Sequence, residues 1–198
     1  MPEPETVRDF RREQIVRAAC ALVAEGGLRA LTYGRLEARL SFTRGVITHH
    51  FKNKDDIIQS VLRSALRDIN SATIGAVVAT AEPEERIRRT LRLMVDGFLS
   101  HPASTRILIS YMSEVPHNAQ AAAFNAELFA RWRRWTAEIL RDGVDRGTFR
   151  YHDTDAMAGV IVGQVIGAVL QHLFAPDAVS VGRVVAAGTE SVLAGLRS

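Results

Sequence analysis

The stretch from Thr32 to Lys54, TYGRLEARLSFTRGVITHHFKNK, constrains this chain more than any other. It reads as two short helices joined by a tight turn. Leu36 and Leu40 are four residues apart and share a helix face. Thr32 is placed to cap that helix, its hydroxyl accepting from the free N–H groups of the first turn. The run Leu40-Ser41-Phe42-Thr43 breaks the pattern, and Thr43 is placed to cap a second helix. There Val46, Ile47, His50 and Phe51 form an inner face at three- and four-residue spacing. Arg44, Thr48 and His49 project elsewhere. A short helix that buries one side and presents Arg, Thr and His on the other has the form of a recognition helix in a DNA major groove. Lys52 and Lys54 follow, and Lys54 stands where a further helix begins.

The segment Thr43-Arg44-Gly45-Val46-Ile47-Thr48-His49-His50-Phe51-Lys52-Asn53-Lys54 resembles the DNA-binding segment of the tetracycline-repressor (TetR) family of bacterial transcription regulators. That family's pattern is a small polar cap followed by x-Gly-x-x-Tyr-x-His-Phe-x-x-Lys. Thr43, Gly45, His50, Phe51 and Lys54 match it. Thr48 stands where the family usually has Tyr, Glu37 where it has a small Ala, and Ser41 where it has the turn Gly. A left-handed turn residue other than Gly costs about 1 kcal/mol. Glu37, at a close helix crossing, has to turn outward or find a cation such as Arg39 or Arg44. The form Gly-x-Ile-x-His-x-Phe is similar to the choline-responsive BetI branch.

The resemblance implies roles. Thr32 and Tyr33 would meet backbone phosphate, and Thr43, Arg44 and His49 would point towards base edges. His50 and Lys54, with the free N–H groups of the next helix, would clamp phosphate. Arg44 is the strongest base reader, because a guanidinium can grip guanine O6 and N7 with two hydrogen bonds. Thr48 occupies a phosphate-contact position with a side chain shorter than the usual phenol. The DNA-binding set is thus Thr32, Tyr33, Thr43, Arg44, Thr48, His49, His50 and Lys54.

Charge agrees with this placement. Residues 1–67 hold 12 Arg/Lys against 8 Asp/Glu, and residues 68–198 hold 13 against 14, so the basic excess lies where phosphates would be. The single cysteine, Cys20, excludes an intramolecular disulfide and any Cys-based metal site, and reads as a small core residue. The N-terminus has no apolar signal region, and a cytoplasmic location is expected. No Gly-rich phosphate loop, His-Glu-x-x-His or Gly-x-Ser-x-Gly is present, so the chain is read as neither an enzyme nor a holder of a metal or cofactor.

Helical periodicity continues along the rest of the chain. A first helix spans about Asp9 to Glu25 and ends at Gly26-Gly27. A fourth runs from Lys54 to about Thr73, with the apolar segment Ile74–Ala81 either extending it or opening a loop. Glu82-Pro83-Glu84-Glu85 starts a fifth, which His101-Pro102 ends. A sixth covers about Ser104–Ser113, a seventh about Asn118–Arg146, an eighth Thr154–Phe174 and a ninth Val179–Arg197. The expected fold is all-α, with nine helices in the order the resemblance implies. It divides into a helix-turn-helix DNA-binding domain, residues 1–53, and a ligand-binding and dimerisation domain, residues 54–198.

Two constellations in the second domain stand out. Met94, Phe98, Leu108, Tyr111, Met112, Phe124, Trp132, Trp135, Gln164 and Gln171 mix apolar and polar groups as a small-molecule pocket does, and the resemblance places the effector there. Two Trp and a Tyr could cage a quaternary ammonium. Ala156–Phe174 lacks Asp, Glu, Lys and Arg and carries Gly159, Gly163 and Gly167 in four-residue steps. That pattern suits either a membrane span or close packing in a soluble core; Gln164, Gln171 and His172 favour the soluble reading. The ninth helix offers a matching stripe at Val181, Val185, Gly188, Val192 and Leu196, and the resemblance implies that these two helices pair with their copies as a homodimer interface. The functional expectation is a homodimeric repressor released from a palindromic operator by a small-molecule inducer. The alternative is a constitutive DNA-binding dimer without an effector.

Overall fold

The computed structural model describes residues 7–71, 82–150 and 152–197. Among these are nine α-helices: α1 Val7–Gly26, α2 Tyr33–Leu40, α3 Arg44–His50, α4 Lys54–Asn70, α5 Pro83–Ser100, α6 Pro102–Met112, α7 Ala119–Asp145, α8 Thr154–Phe174 and α9 Val181–Leu196. The described residues hold one isolated β-bridge, Phe149 with Arg197. The expected end of the fourth helix at Thr73 and the segment Ile74–Ala81 fall outside them. The chain divides into two compact units. One comprises residues up to Ile69 with His101–Ala121; the other comprises Asn70–Ser100 with Ala122–Ser198.

In the first unit, α1 buries Ile15, Ala18, Ala19, Leu22 and Val23, the stripe its periodicity calls for. Gly27 closes it at φ 67°, its N–H bonded to the Val23 carbonyl at 2.8 Å. A single 3₁₀ turn, Leu28–Ala30, follows; the sequence reading does not contain it. The Leu28 N–H leads to the Ser110 hydroxyl of α6 at 3.3 Å. Thr32 caps α2, accepting from the Arg35 N–H at 3.3 Å. Ser41 then turns the chain at φ 55°, ψ 29°, donating to the Glu37 carbonyl at 2.9 Å. Only this non-glycine residue among those described has a positive φ. Ser41→Gly is therefore expected to stabilise the protein by about 0.5–1 kcal/mol, as relief of the left-handed penalty outweighs the added freedom of the unfolded chain. Urea midpoints of the two proteins check this, and a lower midpoint for the glycine form would refute it.

His101 and Pro102, expected to end α5, also open α6. Proline's missing N–H and fixed φ suit a first helical position. Within the first unit α6 is tied to α4 by Ser104, whose hydroxyl donates to Asp68 at 2.7 Å. It is tied to the end of α1 by Arg106, whose Nε–H donates to the Ala24 carbonyl at 3.3 Å. These ties link residues far apart in sequence and are invisible to periodicity.

In the second unit, α8 packs on α5 and α9, burying Ala158, Ile161, Val162, Val165, Ile166, Ala168 and Val169. It is long and apolar enough to cross a membrane by length and composition alone. The Asp153 carboxylate caps it, accepting from the N–H groups of Asp155 and Ala156 at 3.1 and 3.0 Å. Before α8, the Phe149 ring lies directly on the bare Cα of Gly143, a position with no room for a Cβ. Glu84 of α5 receives two bonds of 2.9 Å from Arg197, and Arg88 bridges Glu84 and Glu190. The arginines hold both carboxyls below the usual carboxylate range. This network is largely solvated and contributes modestly to stability.

Candidate nucleic-acid interface

The recognition surface is built from the inside out. Ile47 is fully buried and Phe51 is 2% exposed, so one side of α3 is committed to the core. The opposite side carries Thr43, Arg44, Thr48 and His49, all exposed. Arg44 lies over the Tyr33 ring, 4.6 Å from its centroid. That brace lowers the entropy lost when the guanidinium engages a base edge. It also unites the opening turns of α2 and α3, as the expected set requires.

Three local details differ from the sequence expectations. Thr43 occupies the cap position of α3 and its carbonyl accepts from Val46 and Ile47 at 3.0 and 3.3 Å, but its hydroxyl makes no capping bond. The Thr48 hydroxyl turns back onto its own helix, towards the Arg44 and Gly45 carbonyls at 3.1 and 3.2 Å. A phosphate oxygen only accepts hydrogen bonds, so Thr48 would have to break that arrangement to reach one. Glu37 finds neither expected cation. Arg39 pairs with Glu25 of α1 through bonds of 2.9 and 2.7 Å, and Arg44 is stacked on Tyr33. Glu37 stays at the half-exposed surface.

The start of α4 is occupied. Asn53 Oδ1 accepts from the Asp56 N–H at 2.8 Å, and the Asp56 carboxylate accepts from the Lys52 N–H at 3.1 Å, a reciprocal cap. The first turn also contains Asp55 and Asp56. Of the expected clamp, the Lys54 ammonium is exposed while one amide is already satisfied. His50 is half-buried, with Nδ1 enclosed and without a partner among the described residues. Burial first, then the charges of His49, Arg8, Arg11 and Arg12, push its imidazole below the ordinary histidine range. A neutral ring amid cations is poised to gain from a phosphate beside it.

Arg12 is not in the expected DNA-binding set. It stacks on Phe51, 4.2 Å from the ring centroid, and donates to the His50 carbonyl at 2.9 Å. The residue thus fastens α1 to the end of α3. Nothing in the local pattern marks it, because its partners lie 38 or more residues away.

The expected effector residues are divided between the units. Leu108, Tyr111 and Met112 lie in the first; Met94, Phe98, Phe124, Trp132, Trp135, Gln164 and Gln171 lie in the second. In the second unit Phe98 and Phe129 meet Trp132 edge-on at centroid distances of 6.1 and 5.4 Å. Gln164 Oε1 occupies the space beside Gly188 that a side chain there would fill, and Gln164 Nε2 is buried without a partner among the described residues. Gln171 is exposed and donates to the Gly167 carbonyl of its own helix at 3.3 Å. A groove of about 220 Å³ runs between α5 and α9, lined by Arg88, Leu91, Val95, Val185 and Thr189 among others. None of the ten expected effector residues lines it.

The expected interface residues also separate. Val181, Val185 and Leu196 are buried within the chain itself, and Gly188 accommodates Gln164. Gly163 and Gly167 of α8, in contrast, have open space where a side chain would stand, and Gly159 meets only the edge of Arg133. Beside them Val160 is 55% exposed, Phe174 84% and, on α9, Val184 43%. The outward stripe of α8 therefore runs Val160, Gly163, Gly167, Phe174. Spacing alone shows that these four can share a face. It does not show which face of a helix apolar all round looks outward.

Residues 83–197 match the family described as BetI-type transcriptional repressor, C-terminal, and residues 15–61 match the bacterial regulatory proteins of the tetR family. The HTH-type transcriptional regulator BetI of Burkholderia cenocepacia (strain HI2424) is 26% identical over 113 residues, 57% of this chain and 58% of that protein. That of Paraburkholderia xenovorans (strain LB400) is 26% identical over 115 residues, 58% of this chain and 59% of the relative. The chain thus spans about three fifths of the length of the curated relatives it matches. Among solved structures, a transcriptional regulator from Saccharomonospora viridis in complex with choline superposes with a TM-score of 0.82 at 21% identity, over 96% of this chain and 98% of that one. A TetR family regulator from Cytophaga hutchinsonii superposes with a TM-score of 0.78 at 17% identity, over 98% of each chain. At these identities the likeness establishes the fold.

Proposed function

This chain belongs to the BetI-type transcriptional repressors of the tetR family, and from that membership and the exposed face of α3 we propose a homodimeric repressor that leaves a palindromic operator when a small-molecule inducer binds. The observation that carries the DNA-binding reading is the two-sided α3. Ile47 and Phe51 anchor it, and Arg44, braced on Tyr33, is exposed together with His49. Residues 1–53 would hold the DNA and residues 54–198 the effector and the partner subunit. A protein acting on an operator works where the chromosome is, so the cytoplasm is its place.

Salt-dependent binding to the DNA upstream of the protein's own gene tests the reading. Wild type is expected to bind specifically, with affinity falling by several phosphates' worth of salt slope. Arg44→Ala is expected to cost about 1–3 kcal/mol and to relax specificity at one base position. Weak binding to every duplex, unchanged in the variant, would overturn the proposal.

Two observations support a quaternary ammonium as the effector class. The solved neighbour holds choline, a quaternary ammonium, and the Phe98–Trp132–Phe129 cluster supplies aromatic faces that attract such cations. A ligand shifts the DNA-binding equilibrium only by its preference for one conformation over the other. Saturating choline is expected to weaken operator binding by about 5–150-fold, the usual range of coupling between two sites. Unchanged affinity with every quaternary ammonium tried would favour the constitutive dimer.

A further inference from the structure

The first unit carries a groove that the DNA-binding reading does not use. It lies between α1 and α4, has a volume of about 240 Å³, and is lined by Arg12, Glu13, Val16, Arg17, Ser60, Arg63, Ser64 and Arg67. Four arginines face one carboxylate, and that carboxylate, Glu13, is paired with Arg17 at 3.2 Å. Among the described residues no ion pair engages Arg12, Arg63 or Arg67. Asp68, the nearest acid along α4, receives the Ser104 hydroxyl.

The groove is built rather than merely charged. Arg12 and Arg63 both donate to the Ser60 hydroxyl oxygen, at 3.1 and 2.9 Å. Ser60 spends its own proton on the Asp56 carbonyl at 3.0 Å. Two guanidinium nitrogens therefore share one neutral oxygen and lie within about 6 Å of each other, and the groove's carboxylate, Glu13, is paired with Arg17 rather than with either of them. Phe51 and the His50 carbonyl hold Arg12 in place. Arg63 and Arg67, one helical turn apart, point along the same rim.

We propose that the α1–α4 groove binds a small phosphorylated anion, a phosphate monoester or diphosphate, through Arg12, Arg63 and Arg67 with the Ser64 hydroxyl beside them. Fork-shaped guanidinium groups match phosphoryl oxygens in pairs, and three arginines outside any ion pair among the described residues favour a multiply charged ligand over a single carboxylate. The DNA backbone is not its occupant. Arg63 and Arg67 lie about 14 and 20 Å along α4 from Lys54, the end that meets the duplex, at 1.5 Å per residue. Arg12 couples the groove to the recognition helix, since the guanidinium that would take the anion also holds the last carbonyl of α3. That coupling rests on the DNA-binding reading; the binding itself does not.

Calorimetric titration of the full chain with pyrophosphate, at constant ionic strength and without DNA, tests the site. Wild type is expected to bind one pyrophosphate per chain. The double variant Arg63→Gln, Arg67→Gln, both exposed positions that should leave folding intact, is expected to bind about tenfold more weakly or worse. Lys54→Ala, on the DNA-facing end, should change the affinity by less than about twofold. The reverse pattern would place the anion on the DNA-binding face and overturn the proposal, as would no binding by the wild type. Operator titrations separate the remaining source: if the double variant lowers the salt slope for DNA, the groove arginines are DNA contacts and the small-anion site is refuted.

Discussion

Phe51→Ala is expected to destabilise the first unit by about 3–5 kcal/mol, a large share of the 5–15 kcal/mol that holds a typical domain together. The ring is 2% exposed, and Phe51 caps the end of α3 beneath Arg12 of α1. Its removal leaves a cavity and takes away the platform under the Arg12 guanidinium, 4.2 Å from its centroid. Arg12 in turn holds the His50 carbonyl, so the end of α3 loosens with it. Both tryptophans, Trp132 and Trp135, lie in the second unit, so their fluorescence reports on that unit alone. Urea unfolding followed by circular dichroism should show a helix loss that precedes the tryptophan transition in the variant. Amide exchange in α1–α4 should accelerate by about two to four powers of ten, the same free energy read locally. A change below about 1 kcal/mol would show that the site collapses around the gap and that Phe51 does not anchor the recognition helix.

Gly163→Arg is expected to abolish dimerisation and to lower operator affinity by two or more powers of ten, the usual scale of avidity from two linked heads. Position 163 faces open space in the single chain, so the new side chain meets no steric barrier there. Replacing Gly in a helix interior even raises intrinsic helix stability, by about 1 kcal/mol. The monomer should therefore keep its fold while the stripe of Val160, Gly163, Gly167 and Phe174 loses its close approach to a second copy. Sedimentation velocity reads the mass and urea unfolding reads the fold. A dimer that persists in Gly163→Arg would move the interface off this stripe. The two variants are complementary: one loosens the reading head in an otherwise whole protein, and the other leaves the head whole but uncouples its pair.

Much of the site was legible because its signals are local. Thr32 caps α2, Ile47 and Phe51 turn inward, and Arg44 and His49 turn outward, since each depends on spacing within a few residues. Ser41 is identified as the left-handed turn through the resemblance, since it stands where the family has its turn Gly. Thr43 and Thr48 show where local reasoning stops. Both have the chemistry to cap a helix or meet a phosphate, but the rotamer each adopts is a competition among nearby acceptors that residue type does not resolve.

Helicity, the helix boundaries to within a few residues and the residues of α3 that face the core were all legible from the order of residues. Backbone hydrogen bonding and side-chain periodicity act over one or two turns, so these features are written in adjacent residues. The remaining features arise only when the folded helices meet. Tertiary packing gave Arg39 to Glu25 rather than Glu37, fastened Arg12 to the end of α3, and grouped α6 with the first unit. It also seated Gln164 against Gly188 and turned Val160, Gly163 and Phe174 outward while Val181 and Val185 went inside. α8 is apolar on every side, so its pattern carries no preferred direction, and only the packing of α5 and α9 against it selects which stripe is left for a partner.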